Sequence, residues 1–246
     1  MAFTTNTTAF NPDLNEIFEE AFERCGLELR TGYDFRTARR SLNFLVTEWA
    51  NRGINLWTIE QGYINLAQGV TTYDLPVDTV DLVEHVIRTQ ANQGPNQTDL
   101  NITRISVSTY STIPNKLAQG RPIQVWINRQ SGQKVGSNIA TPKAPQINVW
   151  PAPDQGTTNE PYYVFYYWRL KRIYDAGDGT NVIDIPFRMI EPLTAGLAYK
   201  IAVKKPEVAL DRVMGLKAAY DEAWEWASTE DREKAADRLV PREMFF

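Results

Sequence analysis

Residues Tyr162–Lys205 constrain the fold more than any other stretch of this chain. An aromatic run, YYVFYYWRLKRI (162–173), leads through YDAGDGTNVID (174–184) into IPFRMIEPLTAGLAYKIAVKK (185–205). The apolar period changes across that join from two to about 3.6, so a strand-rich region ends there and a helical one begins. In the strand, Tyr162, Val164, Tyr166, Trp168 and Leu170 share one face, and Tyr163, Phe165, Tyr167, Arg169 and Lys171 the other. The first half is apolar on both faces and the second is polar on one. That pattern predicts a strand buried on both sides where it begins and half exposed where it leaves.

Three further helices are predicted around this join. Leu14, Ile17, Phe18, Ala21, Phe22 and Cys25 recur at helical spacing between an Asn11-Pro12-Asp13 start and a Gly26 stop. After Arg30-Thr31-Gly32, a second helix carries Phe35, Ala38, Leu42, Leu45, Val46 and Trp49 and ends at Asn51-Arg52-Gly53. The short connection predicts that these two pack antiparallel. Near the C-terminal end, Pro192 suits the first turn of a helix running to Lys205, with Leu193, Leu197 and Ile201 in register. Ala195, Gly196, Ala198 and Ala202 permit close helix approach. Pro206 ends that helix, and the next carries a stripe of Ala209, Val213, Leu216, Tyr220, Ala223 and Ala227.

Between the helical ends lie short strand candidates: 57–60, 63–66, 70–75, 82–88, 102–106, 123–128, 146–150 and 162–173. Polar linkers separate them at Asn92–Asp99, Ser131–Pro145 and Pro151–Pro161, and Gln130–Ala144 reads as a mobile hairpin tip. A small sandwich or barrel follows from that punctuation. The expected fold class is therefore α+β: a helical bundle made from N- and C-terminal helices, an inserted antiparallel β module and an extended C-terminal arm. The expected divisions are 1–55 for the N-terminal helices, 56–175 for the β-rich module, 176–230 for the C-terminal helices and 231–246 for the arm.

The residues for catalysis are sparse. One cysteine, Cys25, and one histidine, His85, fall in different zones. An internal disulfide is excluded, and neither a Cys/His zinc site nor a nucleophile–base pair is expected. Cys25 reads as a small core residue and His85 as a hydrogen-bonded strand residue. No phosphate-cradling glycine motif occurs. Asp175–Asn181 resembles a calcium loop at a glance, but glycines stand at its third and fifth positions, so it reads as a turn. Glu16, Glu19, Glu20 and Glu23 form the polar face of the first helix rather than a glycosidase pair. Arg36, Arg39 and Arg40, and Arg169, Lys171 and Arg172, read as polar faces, with some able to meet an acidic neighbour. Neither metal nor cofactor is expected. Net charge is −4 among 246 residues, so no global basic field draws in nucleic acid or an anionic membrane. The opening MAFTTNTTAFNP does not read as a signal peptide, and no run approaches the roughly 18 apolar residues of a membrane span. The chain ends in LVPREMFF (239–246), an apolar terminus on a charged approach, which reads as an arm that docks into a partner.

Several short motifs resemble a phage structural family. They are Asn51-Arg52-Gly53-Ile54-Asn55-Leu56-Trp57, Tyr73-Asp74-Leu75-Pro76, Ile113-Pro114-Asn115-Lys116, Gly120-Arg121-Pro122 and Val149-Trp150-Pro151-Ala152-Pro153. Tyr167–Ile173, Asp175-Ala176-Gly177-Asp178 and Ile185-Pro186-Phe187-Arg188 complete the set. The chain resembles the head-to-tail adaptors, or tail accessory factors, of short-tailed phages from about Leu14 to Tyr220. The resemblance implies a virion structural protein rather than an enzyme. It implies a homo-oligomeric ring, typically a dodecamer, beneath the portal protein, assembled in the host cytoplasm and placed at the head–tail junction of the virion. A tail nozzle or tail spike and fibre proteins would dock on the far side. Double-stranded DNA would pass through during genome ejection, along a weakly acidic wall that does not hold it. Leu239, Val240, Met244, Phe245 and Phe246 are then expected to grip the portal, and Arg169, Lys171 and Arg172 to meet a neighbouring subunit. The rival expectations are a tail-borne peptidoglycan hydrolase and a carbohydrate-binding module using Trp57, Trp126, Trp150 or Trp168.

Overall fold

A computed structural model describes residues 10, 12–30, 32–52, 56–91, 93–129, 144–173 and 184–231. Helices α1 (Leu14–Cys25) and α2 (Gly32–Arg52) come first. Strands β1 (Ile59–Leu66), β2 (Thr72–Asp74), β3 (Thr79–Thr89), β4 (Thr98–Asn101) and β5 (Thr103–Arg104) follow, then the one-turn α3 (Val107–Ser111). Strands β6 (Gln124–Asn128), β7 (Gln146–Trp150) and β8 (Tyr163–Lys171) precede the closing helices α4 (Ile190–Ala202) and α5 (Leu210–Glu230). The fold is α+β, with helices from both ends and sheets between them. Contacts divide it into two units: a helical one drawn from Met1–Leu56 and Ile173–Phe246, and a β-rich one over Trp57–Arg172.

The helical unit is built around α4. Residues Pro192 to Ala198 are buried without a break, followed by Ile201 and Ala202, so α4 has no water-facing side through its middle. A helix that is apolar all round must be covered all round, and α1, α2 and α5 do so. α1 begins with a capping box, in which the Asp13 carboxylate accepts from the Glu16 amide and the Glu16 carboxylate from the Asp13 amide. It stops at Gly26 with φ +76°. All six predicted stripe residues of α1 are buried. The expected antiparallel pairing of α1 with α2 is not the organising contact. Both pack chiefly on α4, and they meet through the edge-on rings of Phe18 and Phe35, 5.0 Å apart. α4 stops at Ala202, short of the expected Lys205, and α5 starts only at Leu210.

Gly196 is where three helices converge. A Cβ there would lie 2.7 Å from the Tyr220 ring of α5 and 3.0 Å from Leu45 of α2. Beside it, the fully buried Trp49 donates its indole N–H to the Tyr220 hydroxyl at 3.0 Å and packs on Trp224 at 4.9 Å. Polar contacts fix the remaining sides. Arg24 of α1 grips Glu191 of α4 with two bonds of 2.6 and 2.9 Å, and Lys200 reaches Glu48 of α2 at 2.6 Å. Lys205 pairs with Asp34 at 2.7 Å. Arg188 pairs with Asp231.

The β-rich unit has two four-stranded sheets, ordered β1-β8-β3-β4 and β2-β7-β6-β5. All pairs are antiparallel except the two-residue pairing of β5 with β6. Leu66, Ile87 and Phe165 from one sheet and Val125, Ile147 and Val149 from the other share one core. The Tyr167 ring lies over Gly62 of β1, where a Cβ would come within 2.5 Å of it. Three elements depart from expectation. β4 occupies part of the supposed Asn92–Asp99 linker: it is a polar edge strand, fastened to β3 by Arg88 and Asp99 at 2.7 Å. The expected strand 102–106 shrinks to β5, because Ser106 accepts from the Thr109 amide and caps α3. Trp57 sits in a 3-10 turn rather than a strand. The expected hairpin tip lies outside the described residues over 130–143.

Two glycines in neighbouring helices should respond oppositely to alanine. Gly196→Ala forces a methyl into Tyr220 and Leu45 and is expected to cost about 1–3 kcal/mol in urea unfolding. Gly215→Ala on α5, where a Cβ meets nothing within 4 Å, is expected to stabilise by about 0.5–1 kcal/mol. Equal responses would show that the convergence at Gly196 is looser than described.

Candidate assembly surfaces

The residues with catalytic potential are held in ways that suit a core. Cys25 is buried and its thiol donates to the Ala198 carbonyl at 3.1 Å. Burial pushes that thiol up to about 11, so it stays protonated near neutrality. His85 of β3 packs on Phe165 at 5.8 Å, yet neither buried ring nitrogen has a hydrogen-bond partner among the described residues. That corrects the expectation of a hydrogen-bonded histidine. Burial, aided by Arg104, lowers its pKa, and the ring is neutral at pH 7. The shifted carboxylates all move down. Arg24 pulls Glu191 below the ordinary range and Arg88 does so for Asp99. Burial pushes Glu48 and Asp78 up, but Lys200 with Arg52, and Arg169, outweigh it and leave both low. A glycosidase general acid needs the opposite direction.

Arg169 stands differently from its expected place at a neighbouring subunit. Its side chain is 9% exposed. It donates to Asp78 at 2.5 Å, to Glu60 at 2.7 Å and to the Thr79 hydroxyl at 3.0 Å, all within the β-rich unit. β8 is indeed buried on both faces at its start and half exposed at its end. The polar-looking face is the one that turns inward there, because these partners neutralise Arg169; Trp168 and Leu170 take the half-exposed side. Lys171 is half-buried and Arg172 exposed.

Of the tryptophans named for a glycan platform, Trp126, Trp150 and Trp168 are divided between the two sheets. Trp126 and Trp150 lie on the outer face of the second sheet, where residues 107–117 reach over them. Tyr110 stacks on Trp126 at 5.0 Å and the Asn115 carbonyl accepts from the Trp150 indole at 3.0 Å. Trp168 belongs to the other sheet, whose outer face shows Tyr63 against Tyr166 at 5.9 Å with Arg88 over the Tyr166 ring at 4.3 Å.

Two helix faces expose what the apolar stripes did not use. On α2, Tyr33, Arg36, Arg40 and Phe44 stand opposite the buried stripe; Tyr33 is 63% and Phe44 61% exposed. Lys204, whose ammonium donates to Ser41 at 2.8 Å, lines a depression of about 450 Å³ with Tyr33, Thr37, Arg40 and Lys205. On α5, the expected stripe is right in register but only Tyr220 and Ala227 of it are buried, joined by Trp224 and Ser228. Asp211 and Glu222 lie opposite that stripe and Asp221 and Glu225 flank it, with Met214 63% and Trp226 70% exposed. The signal was present in the sequence as Tyr33, Phe44 and Trp226, large apolar residues out of phase with their own helix. The expected portal-gripping residues Leu239, Val240, Met244, Phe245 and Phe246 lie outside the described residues, as does the Asp175–Asn181 turn.

The family model described as SU10 adaptor protein matches residues 13–242. That span takes in both the helical and the β-rich unit. No curated protein matches the chain.

Arg169→Ala leaves Asp78 without its counter-charge and is expected to destabilise the β-rich unit by about 1–3 kcal/mol in chemical unfolding, since Asp78 and Glu60 are partly solvated. An unchanged midpoint would place the arginine on the surface instead. His85 gives a pH dependence of definite sign. Its folded pKa lies below the unfolded value of about 6.5, so its contribution is intact above that pH. Stability is lost as pH falls from about 6.5 towards the folded pKa, because the unfolded chain then binds the proton. His85→Leu should flatten the stability curve below about pH 6.5, and an unaltered curve would show that another group carries the slope.

Proposed function

Because the chain belongs to the SU10 adaptor protein family, a family of phage head-to-tail adaptors, we propose that it forms a ring joining the portal protein to the tail. The family is structural rather than enzymatic, and its members belong to the virion. The observation that carries the reading is the extent of the match, residues 13–242, which takes in both the helical and the β-rich unit. Within the proposal, the ring is a dodecamer and surrounds the path of DNA leaving the head. A tail nozzle or tail spike and fibre proteins dock on its distal side.

The physical features support such a role without a reaction. Exposed aromatic and arginine side chains on α2 have the composition of a protein contact. Net charge of −4 suits a wall that DNA passes without being held. Leu239, Val240, Met244, Phe245 and Phe246 are proposed as the arm that enters the portal, and Lys171 and Arg172 as contacts to a neighbour. Arg169 is proposed to act only indirectly, by fixing the end of β8 on which those two residues sit.

Deleting residues 235–246 is expected to abolish binding to the purified portal ring in a sedimentation assay, with the thermal unfolding of the truncated chain showing that the fold persists. Portal binding at full strength by a folded, truncated chain would remove the arm from the proposal.

A further inference from the structure

The outer faces of α2 and α5 carry opposite charge, Arg36 and Arg40 on the one and Asp211, Asp221, Glu222 and Glu225 on the other. Arg36 and Arg40 have no carboxylate partner among the described residues; Arg36 spends its Nε on the Gly32 carbonyl at 3.3 Å. Lys204 adjoins them and bonds only a hydroxyl. Its pKa is lowered, first by burial and then by the charges of Arg40 and Lys200; three cations line the depression beside Tyr33, with Glu207 as its one carboxylate. Asp211, Asp221, Glu222 and Glu225 of α5 are exposed, and no ion pair holds them among the described residues. Each face also offers large apolar surface: Tyr33 and Phe44 on α2, Met214 and Trp226 on α5.

We propose that these two faces are the complementary halves of one contact between copies of this chain, α2 of one subunit lying against α5 of the next. The partner follows from three observations. The spacing agrees, since Arg36 and Arg40 are one helical turn apart and so are Asp221 and Glu225. The composition agrees, since both faces mix charge with exposed aromatic or methionine side chains, as protein contacts do and phosphate-binding surfaces do not. The placement agrees, since each face lies outside the stripe its own helix spends on the bundle, and no ion pair joins the two within a subunit among the described residues. Two different faces pairing between copies make a heterologous contact, and such contacts close into rings when the rotation allows. The inference rests on the ring reading above and assigns the surfaces that build it.

The magnitudes say how strong the contact is. Both helices have 21 residues, about 31 Å of length at 1.5 Å per residue, so a side-by-side pair covers roughly 400 Å² on each partner. A stable two-body interface covers about 800 Å² on each. One helix pair is therefore weak alone. It gains from ring closure, where each subunit is held at two faces, and being solvent-rimmed it is screened by salt.

Charge exchange tests the pairing in the full-length chain. Arg36→Glu with Arg40→Glu makes both faces acidic, and Glu222→Lys with Glu225→Lys makes both basic. Each double variant is expected to self-associate at least tenfold more weakly than the unaltered chain in sedimentation velocity at low ionic strength. Mixing the two variants one to one should restore association, because each α2 then finds an α5 of opposite charge, in alternating order. Variants that associate as the unaltered chain does, or a mixture that stays dissociated, would overturn the pairing, as would an unaltered chain that remains monomeric both free and on the portal. Circular dichroism melting separates misfolding from lost contact. Portal binding is read in the same samples: loss of portal binding by the unaltered chain defeats the adaptor ring, whereas intact portal binding with insensitive variants defeats only the assigned faces.

Discussion

Helix α4 dictates how the helical unit closes. From Pro192 to Ala198 each residue is buried, and a helix in that condition needs cover from every side. Among the described residues, two helices of the required length lie before it in the chain and one after it. The chain must therefore bring its first helices back to its last, across the β-rich residues inserted between them. Small residues on α4 set the separations: Gly196 admits the Tyr220 ring and the Leu45 methyl to distances that any side chain would block. The Trp49 indole to Tyr220 hydroxyl bond and the Glu48–Lys200 pair then fix the register of α2 and α5 against it. The buried Trp49 and Tyr220 groups cost stability unless satisfied, so their bond favours one arrangement over its neighbours.

The β-rich unit relies on a different device. Its aromatic strand β8 is central in the first sheet, between β1 and β3, and buries Tyr163, Phe165 and Tyr167 in the common core. Continuing the same face brings Arg169 inward. The strand keeps its register there because Asp78, Glu60 and Thr79 surround the guanidinium. A charge at the rim of an apolar core resists a one-residue slip, which would turn Arg169 to solvent and strand its two carboxylates. Gly62 opposite Tyr167 has the complementary effect, leaving room for one ring in one register.

Much of this was legible in the sequence, and the failures have physical reasons. α1 could be read to the residue because its cap, its stripe and its stop all agree. The strand-to-helix join near Lys171 and Ile190 was legible because the apolar period changes there. β4 was hidden by its polarity: an edge strand needs backbone partners and a cross-strand ion pair, not an apolar face. The surroundings of Arg169 were not legible, because alternation gives the side of the sheet but not its carboxylate partners, which lie 91 and 109 residues away. The assembly faces were visible only as residues out of phase with their own helices. Periodicity treats such residues as noise, although exposed apolar side chains grouped on one face are what a contact surface is made of.

The interlocked origin of the bundle bears on synthesis. The apolar stripes of α1 and α2 leave the ribosome long before α4 exists to receive them. At bacterial rates of 5–20 residues per second, the wait from Arg52 to Ile190 is on the order of ten seconds. During that interval the β-rich residues can complete their own core, whereas the first two helices remain without a partner. A nascent chain interrupted before residue 190 presents Trp49 and Leu42 to chaperones and proteases in place of a finished bundle. The apolar stripes of the first two helices are thus covered only once the last helices have been made.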